Sequence, residues 1–120
     1  MTRQRIILEM GTGNDLYGED YTKAAIRAVQ DALHHSSIIL FRSLDLDREA
    51  MEVEVTVGVQ KPEAVDCDVV ARELPHGQVT VKAVTGGLNV VDEENGTVSV
   101  IATVGVAAHY DIPDGKYRPA

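Results

Sequence analysis

The chain has 120 residues, enough for one compact domain, and its 19 acidic against 11 basic side chains give a net charge of −8. Acids outnumber bases in both halves, ten to six in residues 1–60 and nine to five in 61–120, so no basic arm exists to displace counterions from a nucleic acid. A hydrophobic fraction of 44% argues against disorder, and the longest apolar run, Ile38-Ile39-Leu40-Phe41, is far too short to span a bilayer.

Valine occurs 17 times and aromatic residues five times, which favours a sheet of small branched side chains. At the N-terminus, Arg3 and Arg5 precede only three apolar residues, Ile6-Ile7-Leu8, before Glu9. A signal peptide needs an apolar stretch of about 7–15 residues, so this segment reads as a strand over Gln4–Met10 and the chain as cytoplasmic. A loop, Gly11-Thr12-Gly13-Asn14-Asp15, is expected to follow. From Asp20 the period changes: Ala25, Ala28, Val29, Ala32 and Leu33 share one helical face, opposite Lys23, Arg27, Gln30, Asp31 and His34. Asp20 or Thr22 can cap that helix, and Ser36-Ser37 is expected to end it. Residues 38–50 read as a short apolar run followed by a charged connector.

Met51, Val53, Val55, Val57 and Val59 alternate with Glu52, Glu54, Thr56 and Gly58, the pattern of a half-buried strand. Lys61-Pro62-Glu63 resembles a helix start, with proline where its missing N–H costs nothing, and the helix is expected to reach Leu74 before Pro75-His76-Gly77. The lone Cys67, flanked by Asp66 and Asp68, excludes an internal disulfide and reads as a packing residue, because neighbouring carboxylates oppose thiolate formation. Gln78–Thr85 alternates again, Gly86-Gly87 breaks it, and Leu88–Val91 forms a short strand. Asn95-Gly96 marks a hairpin tip, Thr97–Ala108 a long final strand, and the tail from Asp111 to Lys116 an irregular segment.

The order β-α-β-α-β-β, with one extra short strand, places the chain in the α+β or α/β class, with two helices on one face of a mixed four- or five-stranded sheet. In the last strand Val98, Val100, Ala102, Val104, Val106 and Ala108 line one face, yet Ile101, Gly105 and Ala107 make the other largely apolar too. Helices on one side leave that second face bare, so a homo-oligomer with sheets packed on one another is expected. Segment 38–50 or the tail offers the alternative cover. The element order resembles the trimeric chorismate-mutase-like architecture, in which ligands bind between subunits; this likeness of topology carries no function with it.

Chemistry concentrates between Gly11 and Lys23, where glycines, helix-start amides, acids and one lysine meet. The spacing is neither a dinucleotide fingerprint, since Leu16 stands at the third glycine position, nor a phosphate loop, since no Gly-Lys-Ser/Thr follows. Asp15, Glu19 and Asp20 also disfavour phosphate. Lys23 sits near the positive end of the helix dipole, which suggests an anionic partner: Asp15, Asp20 or a bound carboxylate. The expected catalytic residues are Asp15, Lys23 and His76, and the expected ligand-binding residues are Gly11, Gly13, Asn14, Gly18, Asp20 and Thr22. Capping explains Asp20 without a ligand, and an ordinary surface ion pair explains Lys23. Without His or Cys pairs at ligating spacing, neither a metal nor a cofactor is expected. The adjacent His34 and His35 diverge by about 100° on a helix and do not jointly chelate one ion.

The run Met10-Gly11, Gly13, Asp15, Gly18, Asp20, Thr22-Lys23-Ala24-Ala25 and Arg27-Ala28-Val29 resembles the signature of a small family of conserved hypothetical proteins first catalogued from Listeria and also seen in fungi. The resemblance continues through Met51-Glu52-Val53-Glu54-Val55, Pro75-His76-Gly77 and Gly86-Gly87-Leu88. It implies a shared fold and no particular activity. Tyr17 stands where the family pattern leads one to expect His. The functional expectation is a homo-oligomer binding a small carboxylate- or amide-bearing metabolite near Gly11–Lys23, at a subunit interface. The alternative is a non-catalytic oligomeric module; neither involves nucleic acid or membrane.

Overall fold

The computed structural model describes residues 2–16, 18–34, 52–74 and 78–112. Strand β1 spans Thr2–Asp15, helix α1 Tyr21–His34 and strand β2 Glu52–Val59. A 3₁₀ turn at Pro62–Ala64 and a short helix α2, Cys67–Ala71, precede β3 (Gln78–Thr85), β4 (Leu88–Asp92) and β5 (Thr97–Ile112). The result is the expected α+β arrangement, with five strands in a mixed sheet and two helices.

The long strand β5 is the organiser. It pairs antiparallel with β1 on one edge; on the other it pairs antiparallel with β2 and, beyond the end of β2, with β4. Strand β3 lies parallel to β2. The chain passes from β3 to β4 at Gly86-Gly87, tight against β2 and β5. Gly87 has φ +62, and a Cβ there would fall 2.2 Å from the Ile101 carbonyl oxygen, so only glycine fits.

The core forms where valines meet alanines. Val53, Val55, Val57 and Val59 of β2 and Val100, Ala102, Val104, Val106 and Ala108 of β5 point to one side, against Tyr21, Ala24, Ala25, Ala28, Val29 and Ala32 of α1. Each buried valine contributes about 1.5–3 kcal/mol of transfer free energy, and alanines bring the helix backbone close to the strands. Val70 of α2 completes the cluster.

Three boundaries differ from the sequence expectation. First, Gly11–Asp15 is not a loop: these residues pair in register with β5, from Gly11 opposite Val104 to Asp15 opposite Val100. Their glycines face α1, whose backbone occupies the space of a side chain, so they serve a regular strand. Second, the 62–74 helix is interrupted, because Val65 and Asp66 are extended. Asp66 caps α2, its Oδ1 accepting from the Val69 N–H at 3.3 Å, which favours a new start over continuation. Third, β5 runs on through Asp111 and Ile112, held by pairing to Arg3 and Thr2. The expectations for Tyr17, Ser36-Ser37, His35, segment 38–50, Pro75-His76-Gly77 and residues 113–116 lie outside the described residues.

The opposite face of the sheet carries no described helix. Two rows cross it in register: Thr12, Thr103, Gly58, Val84 and, beside it, Met10, Gly105, Thr56, Lys82. Met10 is 74% exposed, and Leu88 and Val90 of β4 are also exposed. A shallow hollow of about 620 Å³ lies over Gly58, Gly86 and Gly105, walled by Met10, Thr103 and Val84.

Candidate functional site

The end of β1, the turn after it and the first two turns of α1 enclose a cleft of about 450 Å³. Asn14, Asp15, Leu16, Gly18, Asp20, Lys23 and Arg27 line it. Its keystone is Asp15, whose side chain is 92% buried by its 8% residual exposure. The carboxylate turns Oδ2 inward to accept from the backbone N–H groups of Gly18, at 3.1 Å, and Asp20, at 3.0 Å. Hydrogen bonds to an ionised acceptor are each worth about 1.5–3 kcal/mol, so this one oxygen fixes the turn. The turn holds strain: Glu19 has φ +48, a left-handed conformation that non-glycine residues adopt at a cost of about 1–2 kcal/mol.

Asp20 then opens α1. Its Oδ1 accepts from the Lys23 N–H at 3.0 Å and its carbonyl from the Ala24 N–H at 3.0 Å, the geometry of a helix N-cap. With the helix started there, Lys23 and Arg27 fall one turn apart on the same side. Lys23 Nζ is 3.9 Å and Arg27 Nη1 3.7 Å from Asp15 Oδ1. Both separations exceed hydrogen-bond length, and both cationic side chains are about half exposed, so the pairs contribute little to stability. Arg27 Nη1 instead donates to the Asn14 carbonyl, at 2.6 Å, on the open edge of β1. Further along that edge Asp31 Oδ2 accepts from the Thr12 N–H at 2.9 Å. Two side chains of α1 thus stopper an edge that would otherwise offer unpaired backbone groups.

The cleft is clamped from two sides. Thr22 Oγ1 accepts from the Asp66 N–H at 2.8 Å and donates to the Ala64 carbonyl at 3.4 Å, tying α1 to the segment before α2. Asn89 Nδ2 of β4 donates to the buried Tyr21 hydroxyl at 2.7 Å, and Ser99 Oγ of β5 donates to the Leu16 carbonyl at 3.3 Å.

Of the residues singled out from the sequence, Asn14, Asp15, Gly18, Asp20 and Lys23 come together in this cleft. Gly11 and Gly13 do not line it. They face α1, where a Cβ would fall 2.4 Å from the Ala28 carbonyl oxygen or 2.2 Å from the Ala28 nitrogen. Thr22 is engaged with the 64–66 segment instead, and His76 lies outside the described residues. Arg27 and Leu16 are the cleft residues that sequence reading did not select as site residues. The i, i+4 spacing of Lys23 and Arg27 on one polar face was the available signal for Arg27. Among the described residues no three of His, Cys, Asp or Glu converge as a metal site would require, and no helix is long and apolar enough to cross a membrane. Cys67 is half-buried at the start of α2, away from the cleft lining.

Chemically, the cleft presents two half-exposed cations and one exposed carboxylate at the cap. Its base is fixed by a second carboxylate that is already committed to backbone amides. Such an arrangement can bind and orient a small polar molecule.

A family model described as "Conserved hypothetical protein (Lin0512_fam)" matches residues 5–108. No curated protein matches the chain. The crystal structure of an FtsZ-like protein of unknown function from Nostoc punctiforme PCC 73102 is similar, with a TM-score of 0.80 and 32% sequence identity. The match covers 93% of this chain and 99% of that one.

Proposed function

This chain belongs to the Lin0512 family of conserved hypothetical proteins, and on that premise we propose that it binds a small carboxylate- or amide-bearing metabolite in the cleft at the end of β1 and the start of α1. The observation that carries the reading is the pair of cations, Lys23 and Arg27, held near Asp15 at 3.9 and 3.7 Å without a direct hydrogen bond to it. Both residues line the cleft and are about half exposed, so a ligand carboxylate accepts from them there. Asn14, Gly18 and Asp20 supply hydrogen-bonding groups around it.

The protein works as a homo-oligomer packed through the outer face of the sheet, with the trimer as the form its topology resembles. Apolar exposure at Met10, Leu88 and Val90 supports this reading. The cleft borders that interface: Asn14 lies in the outer-face row with Ile101 and Leu88. A thermal-shift screen of carboxylate and amide metabolites tests the site, comparing the native protein with Lys23→Ala and Arg27→Ala. Hits that survive both substitutions remove the cleft from consideration.

A non-catalytic oligomeric module is the second reading. It is favoured by the commitment of Gly11 and Gly13 to helix packing and of Asp15 Oδ2 to the turn, none of which needs a ligand. Light scattering beside the same screen separates the two: this module is oligomeric and binds no metabolite.

A further inference from the structure

The charges within the cleft are balanced, and that balance bears on what fits. Lys23 and Arg27 contribute two positive charges, and Asp15 and Asp20 two negative ones, all lining one cleft of about 450 Å³. At physiological salt, charges beyond about 8 Å are largely screened, so these four groups weigh more on a ligand than the net charge of −8 spread over the chain. A ligand bearing only a carboxylate gains from the two cations and is opposed by the two acids. A ligand bearing only an ammonium meets the reverse.

The acids are not equivalent. Asp15 is buried, with Oδ2 held by the amides of Gly18 and Asp20 and Oδ1 turned toward the cations. Asp20 is exposed, and beyond the one bond from the Lys23 N–H to its Oδ1, its second oxygen carries no hydrogen bond among the described residues. An acceptor for a cationic group therefore stands at the cap, beside two donors for an anionic one on the next turns of the same helix. A molecule with a carboxylate and an ammonium a few bonds apart satisfies both ends.

We infer that the ligand of this cleft is a zwitterionic amino acid, its carboxylate held by Lys23 and Arg27 and its ammonium by Asp20. The inference rests on the reading of the cleft as a small-molecule site and narrows its ligand class.

The test uses the full chain and calorimetric titration with the twenty L-amino acids, the matching carboxylic acids without the amino group, and the matching amines without the carboxyl group. At least one amino acid is expected to bind about tenfold or more tightly than either of its truncated counterparts. Asp20→Asn preserves the cap, because asparagine caps as well as aspartate, and removes only the charge. It is expected to weaken the amino acid about tenfold while leaving the carboxylic acid unchanged or tighter; Lys23→Ala weakens both. Carboxylic acids binding as tightly as amino acids, insensitive to Asp20→Asn, overturn the zwitterion and leave the carboxylate site standing. Binding by none of the three series overturns both.

Discussion

A Cβ on Gly13 would lie 2.2 Å from the backbone nitrogen of Ala28, so strand β1 and helix α1 touch backbone to backbone at this point. Gly11 repeats the contact one turn along, against the Ala28 carbonyl oxygen and the Ala32 nitrogen. The contact sets where α1 sits on the sheet, and thereby where Lys23 and Arg27 stand relative to Asp15.

Gly13→Ala is expected to destabilise the fold by about 1–3 kcal/mol or more, the cost of overpacking a site walled by backbone that cannot rotate away. Chemical denaturation measures it as a lower midpoint with an unchanged slope. Gly96→Ala is the contrast: nothing lies within 4 Å of a Cβ there, so only its φ of +65 opposes the change. That cost is about 1–2 kcal/mol.

Asp15→Ala removes the acceptor shared by the Gly18 and Asp20 amides, and each charged hydrogen bond is worth about 1.5–3 kcal/mol. With both bonds lost the variant is expected to lose about 3–6 kcal/mol, with faster hydrogen exchange at Gly18 and Asp20. Asp15→Asn retains one acceptor oxygen and is expected to lose less. Equal stability of all three proteins contradicts the keystone role.

Much of this fold is legible in the sequence because its strands alternate strictly. Val53 to Val59 and Val100 to Ala108 point where a period of two places them, and Asp20 caps α1 as its position before an amphipathic run foretells. Gly11–Asp15 is harder. Glycine in a strand and glycine in a loop look alike until the partner is known, and here the partner is a helix whose alanines are spaced to receive it. The break at Asp66 depends on Thr22, 44 residues away, accepting its N–H, a tertiary contact invisible to local propensity. The same limitation hid Arg27, whose place in the cleft follows from the packing of α1 rather than from any motif.

Met10 is 74% exposed beside the open space above Gly105, its cross-strand neighbour. If copies of the chain pack through this face, Met10→Glu buries a carboxylate in the interface and is expected to dissociate the oligomer. Light scattering reads this as a fall to the monomer mass of 13.0 kDa, with circular dichroism unchanged. A native protein that is already monomeric at micromolar concentration contradicts the oligomer reading.

The β4–β5 hairpin carries one acid-sensitive element. Hydrogen bonds from the Asn95 side chain and backbone hold the Asp92 carboxyl below the ordinary aspartate value of 3.8. A depressed value means the charged form favours the folded turn. That contribution is complete above 3.8 and is lost as pH falls through the lower folded value. The midpoint of the Asn95 amide-shift titration is expected to lie below 3.8, and in Asp92→Asn this titration disappears.

On the function proposed above, the cleft at the start of α1 is where this protein meets its ligand. Backbone amide spectra recorded during titration with a mixture of L-amino acids and small carboxylates test it most directly. Shifts are expected to be confined to Asn14, Asp15, Leu16, Gly18, Asp20, Lys23 and Arg27, and to need higher ligand concentration in Lys23→Ala. Shifts clustered instead at Met10, Thr56 and Gly105, or no shifts at all, would contradict it.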